Sequence, residues 1–250
     1  MVPDPLVDAP CRSHVSSDAE AIGALSPALI ATQAPAMPAP LPTQALADAK
    51  FVHLFSVPLM YQVWSDAAAL NVQLRARILA RAALDAGDRR TNVGGWHSAS
   101  GQLEFLGDLR APLIERMHLM ANEATQRLAT ECGIAPLAVQ WSFYAWANVC
   151  RTGDFHTTHT HPGATWSGVY YVDTGDSPGE RDTAALRFLD PAPGSANAFF
   201  PYLLRTCPEI QPVAGLMVLF PSYLPHMVHP HKGGGPRISI AFNFRKEPYP

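Results

Sequence analysis

The chain contains 250 residues, of which 48% are hydrophobic and 16% charged, and its formal net charge at pH 7 is -3. This length is enough for one sizeable core and predicts one catalytic domain with a tail. The slightly acidic charge balance offers no basic surface to a phosphate backbone, so we expect no nucleic-acid partner. No run of about 18 apolar residues occurs, so we expect no membrane-spanning helix.

The composition changes after residue 48. Residues 1–48 are rich in proline and alanine and show no sustained periodicity, which predicts a loosely ordered N-terminal extension. We interpret residues 49–250 as the catalytic domain, with supporting helices in residues 65–133 and a sheet core in residues 137–246.

Two helices are expected in the supporting region. From Ser65 towards Gly87, apolar residues recur at helical spacing, at Leu70, Leu74, Ile78 and Leu79. A second helix is predicted from about Pro112 to Cys132, with Asp108 as its N-terminal cap and Gly133 as its C-terminal stop.

The remainder is typical of strands separated by turns. Glycine- and proline-rich turns divide five predicted strands, at Val139–Val149, Thr165–Val172, Ala184–Leu189, Val213–Phe220 and Arg237–Phe244. Many short strands following helices indicate a mainly β fold with flanking helices, a double-sheet jelly roll of the cupin kind.

Three histidines are the candidate metal ligands. Side chains two residues apart share a face of an extended segment, so His159 and His161 can point together into the jelly roll. About 65 residues later, an apolar strand leads into a proline-framed turn that presents His226, the position from which a jelly roll supplies a distal ligand. His156, at the opposite strand parity, and His229 and His231 are interpreted as loop or outer histidines.

A cationic strand follows the third histidine. Arg237 and Ser239 lie on the polar face of an alternating strand that would return alongside the metal. A guanidinium there can hold a carboxylate through two hydrogen bonds, with the Ser239 hydroxyl adding a third. This combination indicates a chelating oxo-acid cosubstrate.

Several stretches between Phe55 and Phe244 resemble one family. The sequence is similar to the bacterial and phage group of 2-oxoglutarate- and Fe(II)-dependent oxygenases at 91–98, 146–149, 153–154, 159–162, 167–171, 188–191, 219–226 and 237–243. The resemblance implies a double-stranded β-helix that uses Fe(II), 2-oxoglutarate and O2, with Arg237 and Ser239 at the distal carboxylate of the cosubstrate. It does not identify the substrate.

The third metal ligand remains open at this point. The wider superfamily uses two histidines and one carboxylate, whereas His161 occupies the acidic position here. A three-histidine site is the direct interpretation. The alternative is that a carboxylate from elsewhere, with Asp154 nearest in sequence, completes the site.

Other side chains are candidates for the cavity wall. Asn148 could hydrogen-bond the cosubstrate, and the expected substrate contacts are Tyr144, Trp146, Trp96, His97, Phe199 and Tyr202. Phe199 and Tyr202 belong to a long connection between Asp190 and Gln211 that could act as a lid. The chemistry is expected at the iron, and no separate acid or base is assigned.

The resulting hypothesis is a dioxygenase that hydroxylates a C–H bond of a small molecule or an amino-acid-like or peptide substrate and releases succinate and CO2. One alternative is a three-histidine cupin dioxygenase that does not use 2-oxoglutarate, although Tyr223 replaces an expected glycine and Arg237 would have no task. Another is a non-catalytic metal- or ligand-binding jelly roll.

The compartment and assembly are less specified. The four cysteines form no CxxC pair, and the N-terminus lacks a basic segment followed by an apolar run, so we expect a reducing cytoplasm. The oligomeric state is open, a homodimer included.

Overall fold

Two antiparallel sheets form the core of the computed structural model, which describes residues 57–176, 183–190 and 209–247. The major sheet has six strands in the order β1-β9-β6-β11-β4-β3, and the minor sheet has five in the order β2-β5-β10-β7-β8. The strands are β1 Met60–Val63, β2 Asn92–Val93, β3 Trp96–His97, β4 Trp141–Cys150, β5 Phe155–His159, β6 Trp166–Thr174, β7 Leu186–Phe188, β8 Glu209–Ile210, β9 Leu216–Pro221, β10 His226–Val228 and β11 Arg237–Lys246. This is the double-stranded β-helix expected from the sequence.

Two helices cover the outer face of the major sheet. Helix α1 spans Ala68–Ala82 and α2 spans Arg110–Glu131, and their buried side chains join one apolar core with the outward residues of the sheet. Helix α2 ends as predicted, because Gly133 adopts a left-handed conformation with φ of 67° and its N–H donates to the Thr130 carbonyl. The Asp108 cap is wrong: that residue lies inside a 3-10 helix, Glu104–Leu109, which leads directly into α2.

Strand alternation separates the two faces of the major sheet. On β4, Phe143, Ala145, Ala147 and Val149 pack towards the helices, whereas Tyr144, Trp146 and Asn148 line an interior cavity. On β11, the apolar residues again face the helices while Arg237 and Ser239 face the cavity. A single period of two therefore builds both the hydrophobic core and the polar interior.

The five strands predicted from sequence are confirmed to within a few residues at their ends. The additional short strands of the minor sheet, two to five residues long, lie among turn-like sequences that gave no clear strand signal. The extension at residues 1–48 and most of the long connection, with Phe199 and Tyr202, lie outside the described residues. In the described part of the chain, neither helix has the length and apolarity needed to cross a membrane.

Candidate active site

Three histidines converge between the sheets. His159 ends β5, His161 follows two residues later, and His226 begins β10. One ring nitrogen from each lies within 4.8 Å of the others, and the ring centroids are 4.3 Å apart for His159 and His226, 5.0 Å for His159 and His161, and 5.1 Å for His161 and His226. Three imidazoles at this separation can share one metal ion.

Backbone hydrogen bonds orient two of the rings. Nδ1 of His159 lies 2.7 Å from the Thr157 carbonyl oxygen, and Nδ1 of His226 lies 2.9 Å from the Leu224 carbonyl oxygen. A carbonyl only accepts, so each Nδ1 carries the proton and each Nε2 keeps a lone pair for a metal. The peptide N–H of His161 donates to the Ser222 carbonyl, which ties this segment to the turn before β10.

Burial keeps these rings neutral. It lowers the pKa of His226 to about 3 and that of His161 to about 4, and it also lowers the pKa of His159. Neutral imidazole is the form that coordinates iron, zinc, copper or nickel, so the donor set fits a transition-metal ion.

Asp154 does not join the histidines. Its Oδ2 accepts the Arg151 N–H at 2.6 Å, and its carboxylate packs against Gly94 and Gly95 at the turn between β2 and β3. The alternative in which Asp154 completes the site is therefore wrong. Among the described residues, the metal-binding cluster consists of three histidines and no carboxylate.

A buried cation occupies the same cavity, which has a volume of about 290 Å³. Arg237 is 1% exposed, donates to Ser239 Oγ at 3.3 Å, and places its guanidinium carbon 5.1 Å from the centre of the Tyr171 ring. Within the described ranges no carboxylate forms an ion pair with it. A buried charge without a counter-charge is costly, so the cavity is suited to an anion.

Four polar atoms in this cavity are buried and have no hydrogen-bond partner among the described residues: Arg237 Nε, Asn148 Oδ1, Tyr171 Oη and Asn243 Nδ2. Each unpaired buried group costs about 1–3 kcal/mol. Because all four line one cavity, their partners are best supplied by a bound polar molecule. The donor set and this polar lining together fit a metal with a chelating anion.

Aromatic rings form the wall beside the triad. The rings of Tyr144 and Trp146 are 6.0 Å apart at 23°, those of Trp146 and His97 are 5.4 Å apart at 15°, and Trp146 lies 5.7 Å from His161. Trp96 instead faces the outer core, where its Nε1 donates to Asp85. Adjacent residues of an extended strand point to opposite faces, so only His97 of this pair reaches the cavity.

His156 also lies in the cavity, contrary to the parity interpretation. On β10, His226 and Val228 are two residues apart, but they pair with His159 and His156, which are three apart on β5. The extra residue is a β-bulge that turns His156 inward, where its Nε2 lies 3.7 Å from Cys150 Sγ. Burial, with the charge of Arg237 as the next contribution, lowers the pKa of His156 to about 3.

His229 and His231 lie outside the cavity, as expected. His229 Nε2 is 3.2 Å from Glu209, and His231 Nε2 is 2.7 Å from the Gly235 carbonyl. The sequence interpretation missed His156, Tyr171 and Asn243. Of these, Asn243 was identifiable, because it continues the polar face of Arg237 and Ser239 on β11.

Residues 144–243, from β4 to β11, match the family model described as "Putative 2OG-Fe(II) oxygenase". This segment is a 2OG-Fe(II) oxygenase domain. It contains the three histidines, Arg237 and Ser239, and the family uses Fe(II), 2-oxoglutarate and O2. The family expected from the sequence is confirmed. Among curated proteins, no sequence matches the chain significantly.

Solved structures share the fold of the oxygenase domain. A prolyl-4-hydroxylase from Pseudomonas putida is 22% identical, with 76% of this chain and 93% of that chain covered and a TM-score of 0.54. A prolyl hydroxylase from Trichoplax adhaerens, solved with a hypoxia inducible factor peptide, is 12% identical over 75% and 83% of the chains, with a TM-score of 0.50. The α-ketoglutarate-dependent epimerase SnoN from nogalamycin biosynthesis is 12% identical over 74% and 76%, also with a TM-score of 0.50.

Proposed function

We propose that His159, His161 and His226 hold Fe(II), that Arg237, Ser239 and Asn148 hold the distal carboxylate of 2-oxoglutarate, and that the enzyme hydroxylates a C–H bond of a small-molecule or amino-acid-like substrate. The observation that carries this proposal is the buried Arg237, which has no carboxylate partner in the described part of the chain and shares one cavity with the triad.

The spacing along β11 supports these roles. His161 contacts Trp146, which pairs with Ala241, and His226 contacts Phe220 in the row of Asn243, so the triad lies near residues 241–243. Arg237 is four to six residues away, roughly 13–20 Å along the strand at about 3.3 Å per residue. Its long side chain spans part of this distance, which leaves room for a short diacid between the guanidinium and the metal.

Arg237 and three neighbouring side chains would surround the far end of that diacid. Asn148, Ser239 and Tyr171 lie side by side in the register of β4, β11 and β6. The guanidinium of Arg237 donates a hydrogen bond to Ser239 Oγ. A guanidinium binds a carboxylate through two parallel hydrogen bonds, and the serine hydroxyl donates a further one. Rotation of the Asn148 amide would present its NH2 group to the same carboxylate.

Bound Fe(II) would supply the activation of O2 that couples oxidation of 2-oxoglutarate to succinate and CO2 with oxidation of the substrate, one oxygen atom entering succinate and the other the hydroxylated product. The chain's contribution would be to fix one ring nitrogen of each histidine, to neutralise the diacid and to exclude bulk water. The ring wall of Tyr144, Trp146 and His97 would hold the substrate beside the triad.

The test is an anaerobic titration of the Fe(II)-loaded protein with 2-oxoglutarate, followed by visible absorption, and then an assay of succinate formed in air. We expect a metal-to-ligand charge-transfer band and slow succinate release in the wild type. His159→Ala should lose both, whereas His229→Ala, which alters a histidine outside the cavity, should keep both.

A three-histidine cupin or a non-catalytic barrel would give a different result. Either would bind metal without the 2-oxoglutarate-dependent band, and neither would need Arg237. If the wild-type band is absent, or if His159→Ala forms succinate normally, the proposal is wrong. The cytoplasmic location remains a prediction from the cysteine pattern.

A further inference from the structure

The aromatic wall of Tyr144, Trp146 and His97 extends from the solvent-exposed mouth of the cavity to the triad. Along it, Tyr144 is 36% exposed, Trp146 is 8% exposed and His97 is 4% exposed, and Trp146 contacts His161. The interplanar angles of 23° and 15° make the three rings nearly parallel. A row of rings with one exposed end is suited to a flat or apolar substrate body that enters beside Tyr144 and packs against Trp146.

The charge of the cavity restricts what this body can carry. Among the described residues that line it, none is aspartate or glutamate, and the ionised side chains are Arg90 and Arg237. The triad contributes no negative charge, because the cluster consists of three histidines and no carboxylate among the described residues. The two negative charges of 2-oxoglutarate would face the three positive charges of Fe(II) and Arg237, so this end of the cavity would keep a net positive charge, to which the exposed Arg90 adds. A cationic substrate would therefore be repelled, whereas an anion would be attracted.

Arg90 is placed to meet that anion. It lines the cavity next to Thr91, and its side chain is 66% exposed, with its Nη2 3.7 Å from Asp88 Oδ2. That ion pair joins two solvated groups at long distance and contributes little stability, so Arg90 can turn towards a ligand at small cost. Arg237 is buried at the cosubstrate end, so Arg90 is the guanidinium left for the substrate.

We infer that the substrate of this site is a small carboxylic acid whose flat or apolar body lies on the rings of Tyr144 and Trp146 and whose carboxylate is held by Arg90. This inference rests on the proposed function for the placement of 2-oxoglutarate at Arg237. It makes Arg90 a specificity-determining residue that selects anions over cations, and it makes Tyr144 a contact that is indifferent to charge.

Two probes of similar shape and opposite charge test this inference. Phenylacetate and phenethylammonium are titrated calorimetrically into the anaerobic protein loaded with Fe(II) and 2-oxoglutarate. We expect phenylacetate to bind more tightly. Arg90→Gln should lower the ratio of the affinity for phenylacetate to that for phenethylammonium by about tenfold, since one guanidinium both attracts the anion and repels the cation.

The chain offers a matched control. Arg89 is exposed, adjacent in sequence and absent from the described lining of the cavity, so Arg89→Gln removes the same net charge without removing the contact. It should leave the preference unchanged. Tyr144→Ala should weaken the binding of both probes by the same factor, so the ratio of the two affinities should stay as in the wild type.

The inference is overturned if the wild type binds both probes equally, if it prefers the amine, or if Arg89→Gln and Arg90→Gln change the ratio alike. Failure of the proposed function is seen separately, as a missing charge-transfer band. In that case the same comparison of Arg90→Gln with Arg89→Gln on the metal-free protein still decides the role of Arg90, because Arg237 is common to both variants.

Discussion

His226 lies directly opposite His159 in the register of the minor sheet, and the centroids of their rings are 4.3 Å apart. The two rings are therefore positioned by strand pairing, and a carbonyl two residues before each histidine fixes the orientation of its ring. A slip of one residue in this pairing would turn one of the rings out of the cavity.

Removal of one triad member should abolish tight metal binding. In His226→Ala, two neutral imidazoles would remain, and we expect the affinity for Fe(II) to fall by more than the roughly 10–100-fold that loss of an outer partner of a metal site costs. Anaerobic equilibrium dialysis with metal analysis measures this affinity. His229→Ala is the control, and an unchanged affinity in His226→Ala would contradict the assignment of the triad.

Arg237→Met should separate stability from cosubstrate binding. The variant removes a buried charge that lacks a counter-charge in the described structure, so the free energy of unfolding of the metal-free protein should rise by about 1–3 kcal/mol. The same change should weaken the binding of 2-oxoglutarate by roughly 30- to 1000-fold, because a charge-assisted pair contributes about 2–4 kcal/mol to the binding free energy.

Denaturant unfolding and thermal melting with and without 2-oxoglutarate measure both effects. Wild-type protein loaded with metal should melt at a higher temperature as 2-oxoglutarate is added, since a ligand of the folded state stabilises it. Arg237→Met should lose this dependence. A variant that is less stable and still responds to 2-oxoglutarate would show that Arg237 serves the fold and not the cosubstrate.

Gly94→Ala should destabilise the turn that connects β2 of the minor sheet to β3 of the major sheet. Gly94 has φ of 69°, and a Cβ atom there would lie 1.9 Å from Asp154 Oδ1. The left-handed conformation and the displaced carboxylate together should lower the free energy of unfolding by about 2–4 kcal/mol. Gly133→Asn is the matched control, because its φ is 67° but nothing lies within 4 Å and asparagine tolerates this conformation.

A double variant tests the cause of this loss. If contact with Asp154 dominates, Gly94→Ala should cost less in an Asp154→Ala background than in the wild type, as a double-mutant cycle measured by denaturant unfolding would show. Equal costs in the two backgrounds would assign the whole effect to backbone conformation.

His118 should contribute to the pH dependence of stability. It belongs to α2, and its ring packs against the rings of Phe143 and Phe244. Burial lowers its pKa. As the pH falls through the ordinary histidine value of about 6.5, the unfolded chain takes up a proton that the folded chain resists, so stability decreases.

His118→Gln removes this titration. The free energy of unfolding of the wild type, relative to the variant, should therefore be greatest above about pH 6.5 and decrease at lower pH. Denaturant unfolding at a series of pH values measures the difference. A difference that stays constant with pH would contradict the assignment.

The long strands, the two helices and the grouping of the three histidines could be predicted from the sequence. Side chains alternate with a period of two in any strand, so the patterns of β4 and β11 show which residues share a face before any pairing is known. For the same reason His159 and His161 could be paired in advance, and the spacing of Arg237 from His226 indicated a return strand.

Details that depend on pairing between distant strands could not be predicted in this way and are seen in the folded structure. The bulge in β5 turns His156 inward because a strand far along the chain sets its register, which local periodicity cannot show. Asp154 docks on the Gly94–Gly95 turn instead of reaching the three histidines, and Tyr171 meets Ser239 and Arg237 through a register shift between β11 and β6. Local alternation specifies the face of each residue, but the position of neighbouring strands specifies which faces meet.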